Sequence, residues 1–229
     1  ECVKHLHDND VDVSLSHQME VDHGITQLLM QLFDWQALPK TLPVFINCAA
    51  APLPPLKRVI ALGEGVGNFV AELESRTHQR ILITASGGLS HDPPIPQLTN
   101  APEAVKKRLI EGGTLSPEAR AARQDKVLSD ADAQISGTSR QRDLNPEWDE
   151  RFLVMFTDAD YAELLNQDDS VITDLAGCGG HEIRTWMAAR AALSQCAEEK
   201  PTCNFYAAIP AWVAGFGVAT AGLGLSTRY

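Results

Sequence analysis

An alternation of strand and helix signals constrains the fold of this chain more than any other feature. Short apolar runs at 11–16, 42–48 and 80–85 are bounded by turn residues, and a fourth run lies at 203–208. An amphipathic helix is predicted over 56–75, because apolar side chains recur there at three- and four-residue spacing. Strands that alternate with helices favour an α/β fold, with a largely parallel or mixed sheet flanked by helices.

The middle of the chain is predicted to be a helical segment. Helices are expected to begin near Asn100, Ser116 and Asn145, because a proline closely follows each of these capping residues. A further helix is predicted from about 181 to 196, after the sequence GCGG. No repeat or linker-like stretch divides the chain, so its 229 residues are expected to form a single domain.

The sequence GEGVGN at 63–68 is similar to a dinucleotide-binding motif, but it lacks the third glycine of that motif. It also lies inside the predicted helix rather than directly after a strand. We therefore interpret its glycines as small residues that allow close packing between helices.

Composition excludes several classes of partner. A formal net charge of −11 without any basic run argues against nucleic-acid binding. The five cysteines are scattered and form no C-x-x-C pair, which favours a reducing, cytoplasmic location. Residues 205–227 carry no charge, but Pro210 and four glycines make them a poor membrane helix. We expect no membrane partner, and we expect this segment to be buried or to contact another subunit of a homo-oligomer.

Two histidines and one carboxylate are the candidate site residues. His23 in VDHG and His91 in SGGLSHDPP each follow a predicted strand, where ligands bind in α/β sheets. Glu182 in GGHEIRTW lies where a helix is predicted to begin. These residues suggest either a facial triad that holds Fe(II), or a histidine pair that transfers protons beside a metal held by other groups. A hydrolase that uses the three residues directly on a metal is a third alternative, and the pattern alone does not decide.

Seven motifs occur in one order along the chain: MEVDHG, LPVFIN, APLPPLKR, GGLSHDPPIPQL, LNPEWD, HEIRTW and IPAWVAGFG. In these motifs the chain resembles the type III extradiol catechol dioxygenases. The resemblance implies an α/β fold, an Fe(II) cofactor, and a substrate pair of O₂ and a catechol such as 3-(2,3-dihydroxyphenyl)propionate. It implies the insertion of both oxygen atoms into the ring next to the diol, during the degradation of aromatic compounds.

The resemblance also implies a role for each candidate residue. Glu182 matches the glutamate that binds the metal, and His23 and His91 match an acid–base pair. Within this pair we assign His23 as the base and His91 as the acid. The two histidine ligands of the family precede Glu1, so the resemblance implies that an N-terminal segment of the family is absent here. The alternative function is therefore a truncated, metal-free remnant or a non-catalytic scaffold subunit. Arg184 is a candidate for binding a carboxylate on the substrate.

Overall fold

Helices provide most of the regular structure in the computed structural model, which describes residues 1–112 and 115–222. Two strands, β1 (Thr202–Ile209) and β2 (Ala214–Thr220), follow the last helix. Three short 3₁₀ segments lie at Trp35–Ala37, Cys178–Glu182 and Pro210–Trp212. The α-helices are α1 (Cys2–Asp8), α2 (His23–Leu32), α3 (Leu56–Thr77), α4 (Glu103–Glu111), α5 (Pro117–Ser136), α6 (Pro146–Asp158), α7 (Ala162–Leu165), α8 (Asp169–Ala176) and α9 (Ile183–Cys196).

Local capping explains the starts of α5 and α6, two of the helices predicted from the sequence. The helix predicted near Asn100 begins at Glu103, after Pro102, without a side-chain cap. The Ser116 hydroxyl accepts a hydrogen bond from the Ala119 N–H at 3.2 Å and begins α5. The Asn145 side chain accepts one from the Trp148 N–H at 3.1 Å and begins α6. In both helices a proline occupies the first turn, where its missing N–H costs no hydrogen bond. These starts depend on only a few neighbouring residues, so the sequence predicts them well.

The glycines of GEGVGN allow close contact between α3 and α9, as predicted. A Cβ atom added at Gly63 would lie 2.2 Å from the carbonyl oxygen of Ala188. A Cβ atom at Gly67 would lie 2.2 Å from the carbonyl oxygen of Ala192. The backbones of the two helices therefore touch, and this contact fixes the position of α9 and of the 3₁₀ segment that precedes it.

The predicted parallel sheet is not present in the described residues. The fourth apolar run lies in β1, which pairs with β2 in a two-stranded antiparallel sheet. The runs at 11–16, 42–48 and 80–85 adopt no strand structure, so the prediction of strands there is wrong for this structure. Apolar and β-branched residues favour an extended backbone, but a strand also needs a partner for its N–H and C=O groups. A sequence pattern carries no information about that partner.

The hydrophobic core anchors the loop that carries His91. Leu89 and Phe152 are fully buried in this core, and Phe152 belongs to α6. Trp186 of α9 packs edge-on against Phe156, with ring centroids 5.2 Å apart. The indole N–H of Trp186 donates a hydrogen bond to the Gly87 carbonyl oxygen at 2.9 Å. Because full burial of a leucine stabilises a fold by about 1.5–3 kcal/mol, Leu89 holds this loop firmly against the core.

The uncharged C-terminal segment forms β1, a 3₁₀ turn and β2 as far as Thr220, and residues 223–229 lie outside the described residues. Among the described helices, none is both long enough and apolar enough to cross a membrane. The five cysteines are free thiols.

Candidate active site

Backbone hydrogen bonds on both sides of the chain hold the loop that presents His91. The N–H of Leu89 donates to the carbonyl oxygen of Gly215 at 3.0 Å, and the N–H of Gly215 donates to that of Ser90 at 2.8 Å. The N–H of His91 donates to the Ala176 carbonyl oxygen at 2.9 Å. The loop thus joins the β1–β2 hairpin on one side and the end of α8 on the other. This arrangement replaces the predicted strand as the support for His91.

The imidazole of His91 lies between two glycines. A Cβ atom at Gly179 would lie 2.2 Å from both Cε1 and Nε2 of the ring, and one at Gly88 would lie 2.8 Å from Cε1. Any larger residue at either position would meet the ring. The glycines of GGLSH and GCGG are therefore part of the site, because their missing side chains leave room for the imidazole.

The two ring nitrogens of His91 have different environments. Nδ1 lies 2.8 Å from the carbonyl oxygen of Leu89, which can only accept a hydrogen bond, so Nδ1 carries a proton. Nε2 faces the carboxylate of Glu182 and lies 3.6 Å from its Oε1 atom. In the neutral ring Nε2 is then the basic nitrogen, and proton exchange takes place at this atom.

Glu182 ends the 3₁₀ segment Cys178–Glu182, and its carboxylate points toward the His91 loop. Its Oε2 atom accepts a hydrogen bond from the Gly88 N–H at 2.6 Å. Burial alone would raise the pKa of the carboxyl group, but the hydrogen bond and charge of His91, the Gly88 N–H and the charge of His23 together lower it. Glu182 is therefore a carboxylate at neutral pH.

The same contact acts in the opposite direction on His91. Burial would lower the pKa of the imidazole, but the Glu182 carboxylate, which accepts from the ring and carries a negative charge, raises it together with the Leu89 carbonyl oxygen and the charge of Asp149. The two residues therefore stabilise each other's charged forms, although they are separated by 90 other residues in the sequence.

His23 lies at the exposed first turn of α2, after Asp22, whose side chain caps the helix through the Gly24 N–H at 3.0 Å. Because its charge lowers the pKa of Glu182, His23 lies within electrostatic range of this carboxylate. The thiol of Cys48 is also within electrostatic range of Glu182. Burial and then the Glu182 charge raise its pKa to about 12. No motif in the sequence indicates a role for Cys48, which follows the apolar stretch LPVFIN.

Arg184 is not available to a substrate carboxylate. Its side chain is fully buried, and its guanidinium group donates to the Pro54 carbonyl oxygen at 3.1 Å. It also contacts Nδ1 of His181 at 2.8 Å and forms an ion pair with Asp169. The guanidinium group therefore stabilises the packing of α8 against α9. The sequence identified the charge but could not show that it was already paired.

The residues near Glu182 provide an incomplete set of metal ligands. In the described part of the chain, no three His, Cys, Asp or Glu side chains are grouped closely enough to hold a metal ion. This finding argues against the facial triad of His23, His91 and Glu182, and against the hydrolase that would depend on it. Glu182 fits as one carboxylate ligand, but a non-haem iron centre needs further ligands, which these residues do not supply.

Comparison with known proteins identifies the family. Residues 1–217 match the family described as the catalytic LigB subunit of aromatic ring-opening dioxygenase. The chain belongs to the LigB family. Membership in this family confirms the predicted enzyme class, an oxidoreductase that opens aromatic rings with dioxygen, and lends no support to a non-catalytic scaffold.

Several relatives of this LigB chain carry the name 2,3-dihydroxyphenylpropionate/2,3-dihydroxicinnamic acid 1,2-dioxygenase. The chain is 43% identical to the protein from Mycolicibacterium smegmatis, and the match covers 96% of the chain and 69% of the relative. It is 42% identical to the protein from Cupriavidus pinatubonensis, over 90% of the chain and 65% of the relative. It is also 42% identical to a protein from Rhodococcus sp, and that match covers 93% of the chain and 67% of the relative. The chain thus spans about two thirds of the length of these relatives.

Proposed function

We propose that the protein opens a catechol ring next to its diol by inserting both atoms of O₂, with Fe(II) as cofactor. The names of the relatives support 3-(2,3-dihydroxyphenyl)propionate as the substrate. The observation that supports the proposal is the distance of 3.6 Å between His91 Nε2 and Glu182 Oε1, because a proton carrier would then lie beside a candidate metal ligand. A diol that lost protons to bind Fe(II) would need such a group nearby.

The two histidines are proposed to transfer protons, with His23 as the base and His91 as the acid. A catechol must lose protons to bind a metal as an anion, and His23 on the exposed turn of α2 can pass its proton to solvent. The imidazole of His91 is partly buried, and only its Nε2 atom faces Glu182. A fixed and shielded imidazole suits the later step, in which the opening ring needs a proton from one defined direction.

Glu182 is proposed as one ligand of Fe(II). Its Oε2 atom is held by the Gly88 N–H, and the lowered pKa of its carboxyl group keeps it ionised as a metal ligand must be. Fe(II) held there would supply a Lewis acid able to bring O₂ and the catechol together. Glu182 would bind the metal on one side, and the two histidines would control the protons beside it.

Separate measurements of turnover and iron content test these roles. In the native protein that carries this chain, His23→Ala and His91→Ala should retain iron and lose turnover by about 10²–10⁴-fold, the usual contribution of acid–base catalysis. His17→Ala is the matched control, because His17 is an exposed histidine six residues before His23. Turnover is followed by O₂ uptake and by the absorbance of the ring-opened product.

Iron content decides between ligation and proton transfer. Glu182→Ala should lose iron as well as turnover, whereas loss of iron from either histidine variant would indicate direct ligation. A native protein that neither binds Fe(II) nor consumes O₂ with a catechol would refute the proposed function. The cytoplasmic location and the homo-oligomer remain predictions. Exposed aromatic side chains on the hairpin, Phe205, Trp212 and Phe216, support self-association.

A further inference from the structure

A buried carboxylate lies directly behind the His91 loop. Asp149 of α6 is fully buried and accepts three hydrogen bonds. Its Oδ1 atom accepts from the Ser90 N–H at 2.7 Å, and its Oδ2 atom accepts from the Ser90 hydroxyl at 2.8 Å and from the Tyr206 hydroxyl at 2.8 Å. Burial of a carboxylate is costly unless donors surround it, so its presence here requires an explanation.

Two of the three hydrogen bonds come from Ser90, the residue immediately before His91. The Ser90 hydroxyl donates to Asp149 and accepts from the Asn145 N–H at 2.9 Å, so both of its partners lie at the start of α6. The backbone of the His91 loop is also fully hydrogen-bonded. Every backbone N–H and C=O group from Leu89 to His91 has a partner, including the Leu89 carbonyl, which binds His91 Nδ1, and the His91 carbonyl, which accepts from Gly179.

The hairpin leaves room for Asp149 in this position. A Cβ atom at Gly215 would lie 2.0 Å from Oδ2 of Asp149. The N–H and C=O of this same glycine bind the His91 loop. The carboxylate thus fills the gap between Ser90 and β2, and its removal would leave two buried donors of Ser90 without an acceptor.

We propose that Asp149 is a positioning residue, which fixes His91 through Ser90 so that Nε2 faces Glu182. The inference rests on the proposed function, in which His91 transfers a proton, and it adds a residue that touches neither substrate nor metal. Proton transfer depends steeply on the distance and direction of the imidazole. Because a displacement of about 1 Å can lower a rate 10²-fold, loosening this loop should lower turnover without preventing substrate binding.

Three variants separate positioning from simple stability. Asp149→Ala should lower kcat by about 10²-fold, change KM far less, and leave iron content unchanged. Asp149→Asn should recover most of the loss, because its amide oxygen still accepts from the Ser90 N–H and its NH₂ group can donate to either hydroxyl. Tyr206→Phe removes one hydrogen bond from Asp149 but none from Ser90, so it should behave like the unmodified protein.

A stability control and a second measurement complete the test. Leu153→Ala removes a buried side chain of α6 that does not bind Ser90, and so reports the effect of loosening this helix alone. In metal-free protein labelled with ¹⁵N-histidine, the imidazole signals of His91 should move in Asp149→Ala and stay in place in Tyr206→Phe and Leu153→Ala. Since this readout needs no turnover, it remains available when a variant is inactive.

Unchanged kcat and unchanged His91 signals in Asp149→Ala would overturn the proposal. So would a loss of kcat that Asp149→Asn does not recover, or one that Leu153→Ala matches at the same folded fraction. Full turnover in His91→Ala would instead refute the proposed function. In that case Asp149 has no effect on the reaction through His91, even if the imidazole signals move.

Discussion

Gly179→Ala tests whether the fit of His91 between two glycines matters for turnover. The added methyl carbon would lie 2.2 Å from Cε1 and Nε2 of His91, whereas ordinary contact begins at 3.4 Å, so the ring must move by about 1.2 Å. Gly88 also lies close to the ring, since a Cβ atom there would lie only 2.8 Å from Cε1, so the ring has little room to move. The backbone itself tolerates alanine, since Gly179 does not have a positive φ.

A displacement of this size should lower kcat about 10²-fold, which corresponds to about 2.7 kcal/mol in the activation barrier. The assay is steady-state ring opening of the native protein that carries this chain, with thermal unfolding measured on the same samples. Gly65→Ala is the matched control, because its methyl group would lie 2.6 Å from Leu6 Cδ2, in a contact that does not involve His91. Turnover within a few-fold of the unmodified protein, or an equal loss in Gly65→Ala, would refute the reasoning.

Two further predictions concern the charge pair and the helix contact. Glu182→Gln in the metal-free protein should lower the pKa of His91, because burial of the imidazole is then no longer opposed by the carboxylate. An NMR titration of the His91 ring measures this, and an unchanged pKa would contradict the mutual stabilisation of the two residues. Gly67→Ala should destabilise the fold by about 1–3 kcal/mol, since its methyl group would meet the Ala192 carbonyl at 2.2 Å. Denaturant unfolding measures the change in stability. Gly217→Ala is the control, because a methyl group there would make only ordinary contacts of 3.4 Å or more. Equal stability of the two variants would argue against the tight α3–α9 contact.

The sequence identified candidate site residues, whose roles stay predictions, but it could not identify the residues that support them. His23, His91 and Glu182 were identified from short motifs, and the resemblance to a family supplied their roles. Asp149 lies in the motif LNPEWD, but nothing in that motif indicates that its carboxylate binds Ser90, 59 residues earlier in the chain. The sequence likewise made Arg184 a candidate for binding a substrate carboxylate, although its guanidinium group is buried and paired.

The sequence alone predicted α3, α5, α6 and α9, but it indicated neither α2, which carries His23, nor α8. Helix starts such as Ser116-Pro117 depend on hydrogen bonds within one turn, so neighbouring residues suffice to specify them. Only the tertiary structure decided which runs pair as strands and which side chains meet. Both depend on contacts between distant segments, as when His91 comes to lie 3.6 Å from Glu182. Those contacts follow from the packing of α3, α6 and α9, which no local pattern records.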